Sequence, residues 1–322
     1  MSGRNNSFYP PVYDDDDYYS SPYNPRKRSR KTKSKMDPVS RVILVVSMIV
    51  FLGSGGYLVY KYLGEPLLEQ MALSEYKKDY QSKDTSGADN GVWNNDVQEE
   101  EKEEERLKDG TLASFKAIRE LNKDVVGWIT VPNTMVDYPV VQSKDNVYYL
   151  KHNINKEYND SGCPFLDFRN SIKPDSFSRS IIIYGHHRRN GTMFAHLKNY
   201  NEVEFYKNNP VLRFDTIYER SEWIVFSNFR TTTSWSTGVP FDYLKTSFKT
   251  DDEFLTFVNE IKKRSLLNMP VDVRADDKIL LLSTCSYEKS NWRMIIAARR
   301  IRDGESSIDV SSATKAANPV MP

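Results

Sequence analysis

The chain has 322 residues, room for one or two domains at about 100 to 200 residues each. Its 45 Lys and Arg nearly cancel its 44 Asp and Glu, so no surplus of positive charge argues for nucleic acid or another polyanion as partner. With 2 Cys and no CxxC pair, neither a disulfide scaffold nor a cysteine zinc centre is expected; no metal or cofactor is assigned, and the histidines are His152, His186, His187 and His196.

Residues 1–25 are rich in Tyr, Pro, Ser and Asp, including the run Asp14 to Asp17. They carry too little aliphatic surface to offset the entropy of ordering, so a disordered tail is expected over 1–40. Arg26 to Lys35 then holds 7 basic residues in 10 positions, and Val42 to Tyr60 is a run of 19 residues without a charge. Nineteen helical residues reach about 28 Å, close to the ~30 Å hydrocarbon core of a bilayer. A transmembrane helix is expected over 41–61, and the basic block before it places the N-terminus in the cytoplasm and everything after Tyr60 outside. A cleaved signal peptide would start earlier and end in an A-x-A pattern, whereas the small residues here are Gly53, Ser54, Gly55 and Gly56. Beside a membrane span, the basic block suits anionic lipid headgroups.

Residues 64–80 have the spacing of an amphipathic juxtamembrane helix, with Leu67, Leu68, Met71 and Tyr76 as its apolar members. Polar Gln81 to Asn95 follows, then Asp96 to Asp109 with 8 acidic against 3 basic residues. The segment 62–110 therefore reads as a juxtamembrane helix and an acidic, solvated linker. From Thr111 to about Asp303 apolar residues recur between turn signals, so one domain is expected there, with 304–322 as a disordered tail. It opens on a helix with Thr111 as N-cap and Leu112, Phe115, Ile118 and Leu121 on one face. Eight short runs of β-branched and aromatic residues follow, near 125–131, 136–141, 162–168, 180–186, 211–215, 222–230, 277–284 and 293–301. Helical spacing interrupts them at Thr192 to Tyr200 (Met193, Phe194, Leu197) and Asp251 to Leu267 (Phe254, Phe257, Val258, Ile261). Many short strands with few helices predict a mainly β fold, a closed or nearly closed barrel.

Two strand ends carry reactive side chains. Ser180-Ile-Ile-Ile-Tyr-Gly-His-His187 is an apolar run that stops at a Gly and two His, and Lys278-Ile-Leu-Leu-Leu-Ser-Thr-Cys285 delivers a single Cys. Arg293 opens the next strand, after the loop 286–292. If these last two strands form a hairpin, Cys285 and Arg293 face each other, about 4.5–5.5 Å apart as antiparallel neighbours. A guanidinium there favours the thiolate and can hold a developing oxyanion, and a His from another strand end completes the set for acyl transfer through a thioester. The residues alone leave other readings open. A Cys after an apolar strand serves equally as a small buried hydrophobe, the two His as loop residues, and Arg293 as a solvated strand start.

The stretch Tyr184-Gly-His-His-Arg-Arg-Asn-Gly-Thr-Met-Phe194, the stretch Leu282-Ser-Thr-Cys285 and Arg293 closely resemble the signature of class B sortases. Asp137-Tyr-Pro-Val-Val-Gln142 and the long helical segment before the Cys strand add to the match, which covers about residues 111–303. The resemblance implies an eight-stranded sortase-type β-barrel with an N-terminal helix and a long helix inserted before the Cys strand. It implies a single-pass enzyme of the Gram-positive plasma membrane with its catalytic domain extracellular. Such a cysteine transpeptidase cleaves a C-terminal sorting signal of secreted proteins and holds the acyl group as a thioester. It then passes that group to an amine of a lipid II-type peptidoglycan precursor, anchoring proteins to the cell wall. On this chain Cys285 would be the nucleophile, His186 the proton carrier and Arg293 the oxyanion and substrate holder, with Ser283, Thr284 and Tyr184 along the signal-binding groove.

Two departures stand out. The family's Thr-Leu-x-Thr-Cys becomes Leu281-Leu-Ser-Thr-Cys285, for which a packing effect is expected, and Cys163 matches no family nucleophile and is expected to be a free structural thiol. The competing readings are a pilin-polymerising sortase, a papain-like cysteine hydrolase and an inactive surface-binding module. The first commonly carries an Asp-Pro-aromatic lid, which Tyr76 to Leu112 lacks, and the second expects its Cys near the start of a helical domain.

Overall fold

The computed structural model describes residues 37–82, 105–285 and 291–317. The expectations of disorder and of a solvated spacer over 1–36, 83–104 and 318–322 fall outside the described residues, as does most of the loop after Cys285.

The chain divides into two compact units, 1–57 and 58–322. Helix α1 (Pro38–Val59) fills the described part of the first and runs on as one π turn, Tyr60–Gly64. Asp37 accepts from the backbone N–H of Ser40 (3.4 Å), and Pro38 at the first helical position gives up an N–H that would have no partner there. Pro38–Gly64 is, among the described residues, the one helix long and apolar enough to cross a membrane.

In the second unit, helix α2 (Glu65–Ser82) forms over the segment with helical spacing, and of its four expected apolar members only Tyr76 turns inward. Leu73, Tyr76 and Tyr80 lie against the barrel core, whereas Leu67, Leu68 and Met71 stay exposed. Tyr80 is the anchor. Its ring stacks on Trp128 (centroids 4.6 Å apart) and meets the edge of Phe115, the Arg220 guanidinium covers it at 4.6 Å, and its hydroxyl donates to buried Asp215. A 3₁₀ turn (Ala113–Phe115) and helix α3 (Lys116–Leu121) follow. Leu112, Phe115 and Ile118 are buried as predicted, but Leu112 occupies the cap position and Thr111 bonds Asp109 (2.6 Å) instead.

The eight predicted strands all form: β1 (Val125–Thr130), β2 (Asp137–Val141), β3 (Phe165–Leu166), β4 (Ser180–Tyr184), β5 (Val211–Thr216), β6 (Glu222–Thr232), β7 (Ile279–Cys285) and β8 (Trp292–Arg300). They close into a mixed barrel in the order β1-β2-β3-β4-β7-β8-β6-β5, with two-residue β3 as the narrow link between β2 and β4. β4 and β7 run parallel, and β7 and β8 are the expected antiparallel hairpin. Alternation along β7 splits it between two cores. Leu280 and Leu282 join the barrel interior with Ile181, Ile183 and Ile296, while Ile279 and Leu281 face outward with Ile182, Ile295 and Ala297.

That outer face is covered by helix α5 (Asp251–Lys263), the long insertion between β6 and β7. Thr250 caps it by accepting from Glu253 N–H (3.1 Å), and Asp251, Asp252 and Glu253 meet the positive end of its dipole. Phe254, Phe257, Val258 and Ile261, the predicted stripe, are all buried. Leu281 packs in the same cluster, in keeping with the packing role expected of it. The segment 194–201 is a 3₁₀ helix, followed by α4 (Val203–Asn208). One expectation fails: 307–316, read as disordered tail, is helix α6 (Ser307–Ala316), capped by Ser306 and in contact with α4 and β6 through residues that include buried Thr314.

Candidate active site

Strand register brings the three predicted reactive positions to one rim. Cys285 is the last residue of β7 and pairs across the hairpin with Arg293 of β8. On the other side of β7, Tyr184 ends β4 opposite Ser283, and Gly185 N–H continues the ladder to the Ser283 carbonyl (3.1 Å). His186 and Cys285 therefore each stand two residues beyond the Tyr184–Ser283 pair on adjacent parallel strands. By the period of two, positions 285 and 293 belong to the outward face, with Leu281, Ile295 and Ala297.

The approach to His186 is built around a glycine. A Cβ at Gly185 would lie 2.6 Å from the buried ring of Phe194, so only glycine lets β4 leave the barrel there. His186 is then held from both sides. Its carbonyl accepts from Phe194 N–H (2.8 Å), and Nε2 lies 2.8 Å from the carbonyl oxygen of Leu150. A carbonyl only accepts, so Nε2 carries the hydrogen and Nδ1 is left as the ring's proton-exchanging atom. His187 instead bridges to Met193, whose backbone is strained into positive φ (56°). His152 stacks on Tyr148 and His196 accepts from Met135 N–H (2.9 Å), so neither joins the rim constellation.

Arg293 is partly exposed and among the described residues no carboxylate pairs with it; its guanidinium donates to the carbonyl of Trp292 (3.2 Å). A guanidinium without an internal anion is available to an external one.

The predicted groove residues separate. Ser283 shares the outward face, but its hydroxyl is covered by Tyr243 from the β6–α5 connection (2.9 Å, oxygen to oxygen). Thr284 pairs with Met294, faces the interior, and has a buried hydroxyl with no hydrogen-bond partner among the described residues. Tyr184 is half-buried against Phe165, and its hydroxyl donates to Asp167 (2.9 Å). Cys163 is buried, its sulfur 3.8 Å from the Pro139 carbonyl oxygen.

Sequence reading passed over Asp167, the hub below the His strand. It is fully buried and accepts five hydrogen bonds: from Arg169 N–H, Nε and Nη2, from Asn146 Nδ2, and from the Tyr184 hydroxyl. Burial alone would raise its pKa, but the bonds from Arg169 outweigh burial and hold the carboxyl below its ordinary value. Burial and the adjacent carboxylate push the Tyr184 phenol well up, so it remains a donor. No group of three or more metal-ligating side chains occurs among the described residues.

This fold is shared with known proteins. A model of the sortase domain matches residues 129–301. The chain belongs to the sortase family, class B. Sortase B of Staphylococcus aureus is 35% identical over 190 residues, 58% of this chain and 75% of that protein. Sortase B of Listeria monocytogenes is 35% identical over 189 residues, 58% of this chain and 74% of that protein. Among solved structures, a Staphylococcus aureus sortase B–substrate complex superposes with a TM-score of 0.61 at 29% identity, covering 74% of this chain and 98% of that one. The sortase described here is thus a cysteine transpeptidase by family, and its barrel is the eight-stranded one expected.

Proposed function

We propose that this sortase cleaves a sorting signal near the C-terminus of secreted proteins and transfers the acyl part to an amine of the peptidoglycan precursor. The Cys285 thiolate attacks the scissile carbonyl carbon, and the carbonyl oxygen takes the negative charge beside Arg293. As the tetrahedral species collapses, the C–N bond breaks and His186 gives the proton on Nδ1 to the leaving amine, which leaves a thioester on Cys285. The acceptor amine then attacks that thioester, His186 takes up its proton at Nδ1, and the C–S bond breaks to restore the thiolate. Ser283 and Tyr184 border the path of the bound signal on the outward face. Thr284 acts from beneath, through the position of the strand.

The observation that carries this reading is the register: Cys285 opposite Arg293 on one side, and His186 at the matching step of the parallel neighbour on the other. The Leu150 contact supports the proton role by engaging Nε2, which leaves Nδ1 as the atom that exchanges the proton. That a Staphylococcus aureus sortase B of the same fold is a substrate complex supports substrate binding by this chain's barrel. Helix α1, preceded by the basic block, supports a single-pass plasma-membrane anchor with the barrel outside the cell and the N-terminus in the cytoplasm.

The test is to incubate the full-length protein in detergent with a library of fluorogenic five-residue signals, with and without an amine, and to trap the intermediate by mass spectrometry. A signal-dependent acyl adduct on Cys285, discharged faster by the amine, is the expected result. Cys285→Ala abolishes the adduct, and Arg293→Ala slows turnover about 10²- to 10³-fold, as for loss of an oxyanion donor. An undiminished cleavage rate in the Cys285→Ala protein overturns the mechanism.

A further inference from the structure

Helix α2 carries two apolar faces, and the barrel covers only one. Leu73, Tyr76 and Tyr80 follow helical spacing on the barrel side. Leu63, at the end of the π turn, and Leu67 and Met71 recur every fourth residue on another face, with Leu68 beside them, and these four are 56–68% exposed. Docking of Leu73, Tyr76 and Tyr80 on the core sets the rotation of the helix. Lys61 pairs with Asp160 of the barrel unit (3.7 Å) at the start, and the Tyr80 hydroxyl bonds Asp215 at the finish. The second face therefore points away from the barrel as a fixed property of the fold.

Chain connectivity says what covers it. The candidate membrane span ends at Gly64, and Met71 is seven residues on, at most about 10 Å away along a helix. Exposed Tyr57, Tyr60 and Tyr62 lie just before that end, the residue type that collects at the boundary between headgroups and acyl chains. From these observations we infer that the Leu63, Leu67, Leu68 and Met71 face of α2 lies on the outer surface of the bilayer, its side chains inserted at the headgroup–acyl boundary. The membrane then contacts a helix that is itself bonded to the barrel, so the catalytic unit rides on the bilayer in a set orientation. Glu65 and Glu69 adjoin this stripe in sequence, so the contact is apolar rather than electrostatic and is insensitive to salt and to anionic lipid.

This inference rests on the reading of Pro38–Gly64 as a membrane span, independently of the thioester chemistry. The test uses the full-length protein carrying Cys285→Ala, with buried Cys163 left in place, in nanodiscs of phosphatidylcholine. Single cysteines at Ile49, Met71 and exposed Lys78 are labelled with an environment-sensitive fluorophore, and quenching by brominated acyl chains is compared with quenching by aqueous iodide. The expected result is strong bromolipid quenching at Ile49 and Met71, iodide quenching at Lys78, and at least a threefold higher bromolipid-to-iodide ratio at Met71 than at Lys78. That ratio is unchanged by 0.5 M salt or by replacing a third of the lipid with phosphatidylglycerol. A lipid-quenched Ile49 with an iodide-quenched Met71 overturns the inference and leaves the span standing. An Ile49 label without lipid quenching removes the span and the inference together. Burial of the Met71 label in a crosslinked dimer, shielded from both quenchers, assigns the face to a second copy of the chain and also overturns it.

Discussion

At the residue scale, Asp167 determines how firmly the His-bearing strand is held. Its carboxylate ties Tyr184, the last residue of β4, to Asn146 and Arg169 on two separate loops. Removing the charge leaves several donors aimed at a weaker acceptor, whereas removing one donor costs a single bond. Asp167→Asn is expected to destabilise the fold by about 1–3 kcal/mol, and Tyr184→Phe by about 0.5–1.5 kcal/mol, in urea unfolding at neutral pH. Equal costs would show that Asp167 is no hub. The placement of Cys285, Arg293 and His186 at strand ends was legible because each follows or opens an apolar run whose end is unmistakable. Asp167 was not, because an Asp beside an Arg reads as a solvated turn until the strands that bury it are in place. The Leu150 carbonyl was invisible for the same reason: a backbone acceptor 36 residues from His186 leaves no mark in composition. Ser283 and Thr284 were assigned to one groove through the family resemblance, yet the pleat puts neighbours on opposite faces.

At the scale of elements, α2 shows the limit of periodicity. Its pattern announced a helix, but Leu67, Leu68 and Met71 resemble a barrel-facing stripe as closely as Leu73, Tyr76 and Tyr80 do. The choice is made by partners far along the chain, Trp128, Asp215 and Arg220, which together make a socket for one phenol. Tyr80→Ala is expected to cost about 3–5 kcal/mol, the range for emptying a buried aromatic site, and to release α2 to proteases. Tyr80→Phe keeps the stacking and removes one donor from Asp215, which retains Arg213, Arg220 and Ser221 N–H, so its cost stays near 1 kcal/mol. Limited proteolysis with a thermal melt measures both; a Tyr80→Ala protein cut no faster than wild type would show that α2 docks without this residue. The strands and α5 were readable because hydrophobic period and capping chemistry agreed locally. Helix α6 was not, since its Ser, Ala and Thr carry little apolar signal and its order comes from contact with α4 and β6.

At the scale of the whole molecule, the barrel separates chemistry from closure. Near the start of β8, Arg293 pairs with Cys285 at one rim, and Arg299 lies six residues further down, about 20 Å away at ~3.4 Å per residue. At that far end Arg299, almost wholly buried, pairs with Glu305 (2.7 Å), and Arg302 bonds Glu305, Asp277 and Asp272 (2.7–2.9 Å). These contacts fasten the chain leaving β8 to the turn entering β7, and so lock the last two strands in register. Burial alone would raise the Glu305 pKa, but the bonds from Arg299 and Arg302 hold it below its ordinary value of 4.5. A carboxyl lower in the folded state than in the unfolded one stabilises the fold above about pH 4.5, and that contribution is lost as the pH falls through the folded value. Glu305→Ala strands the buried Arg299 charge and is expected to cost about 3–5 kcal/mol at pH 7. Glu305→Gln costs less, and its deficit against wild type shrinks as the pH falls below 4.5 and through the lowered folded-state value, where the wild-type carboxyl itself becomes protonated. Urea unfolding across that range reads both variants, and a Glu305→Gln deficit that does not change with pH would place the stabilisation in packing rather than charge. Since the network lies at the opposite rim from Cys285, kcat/KM of either variant, measured well below its melting temperature, is expected to equal that of the wild type.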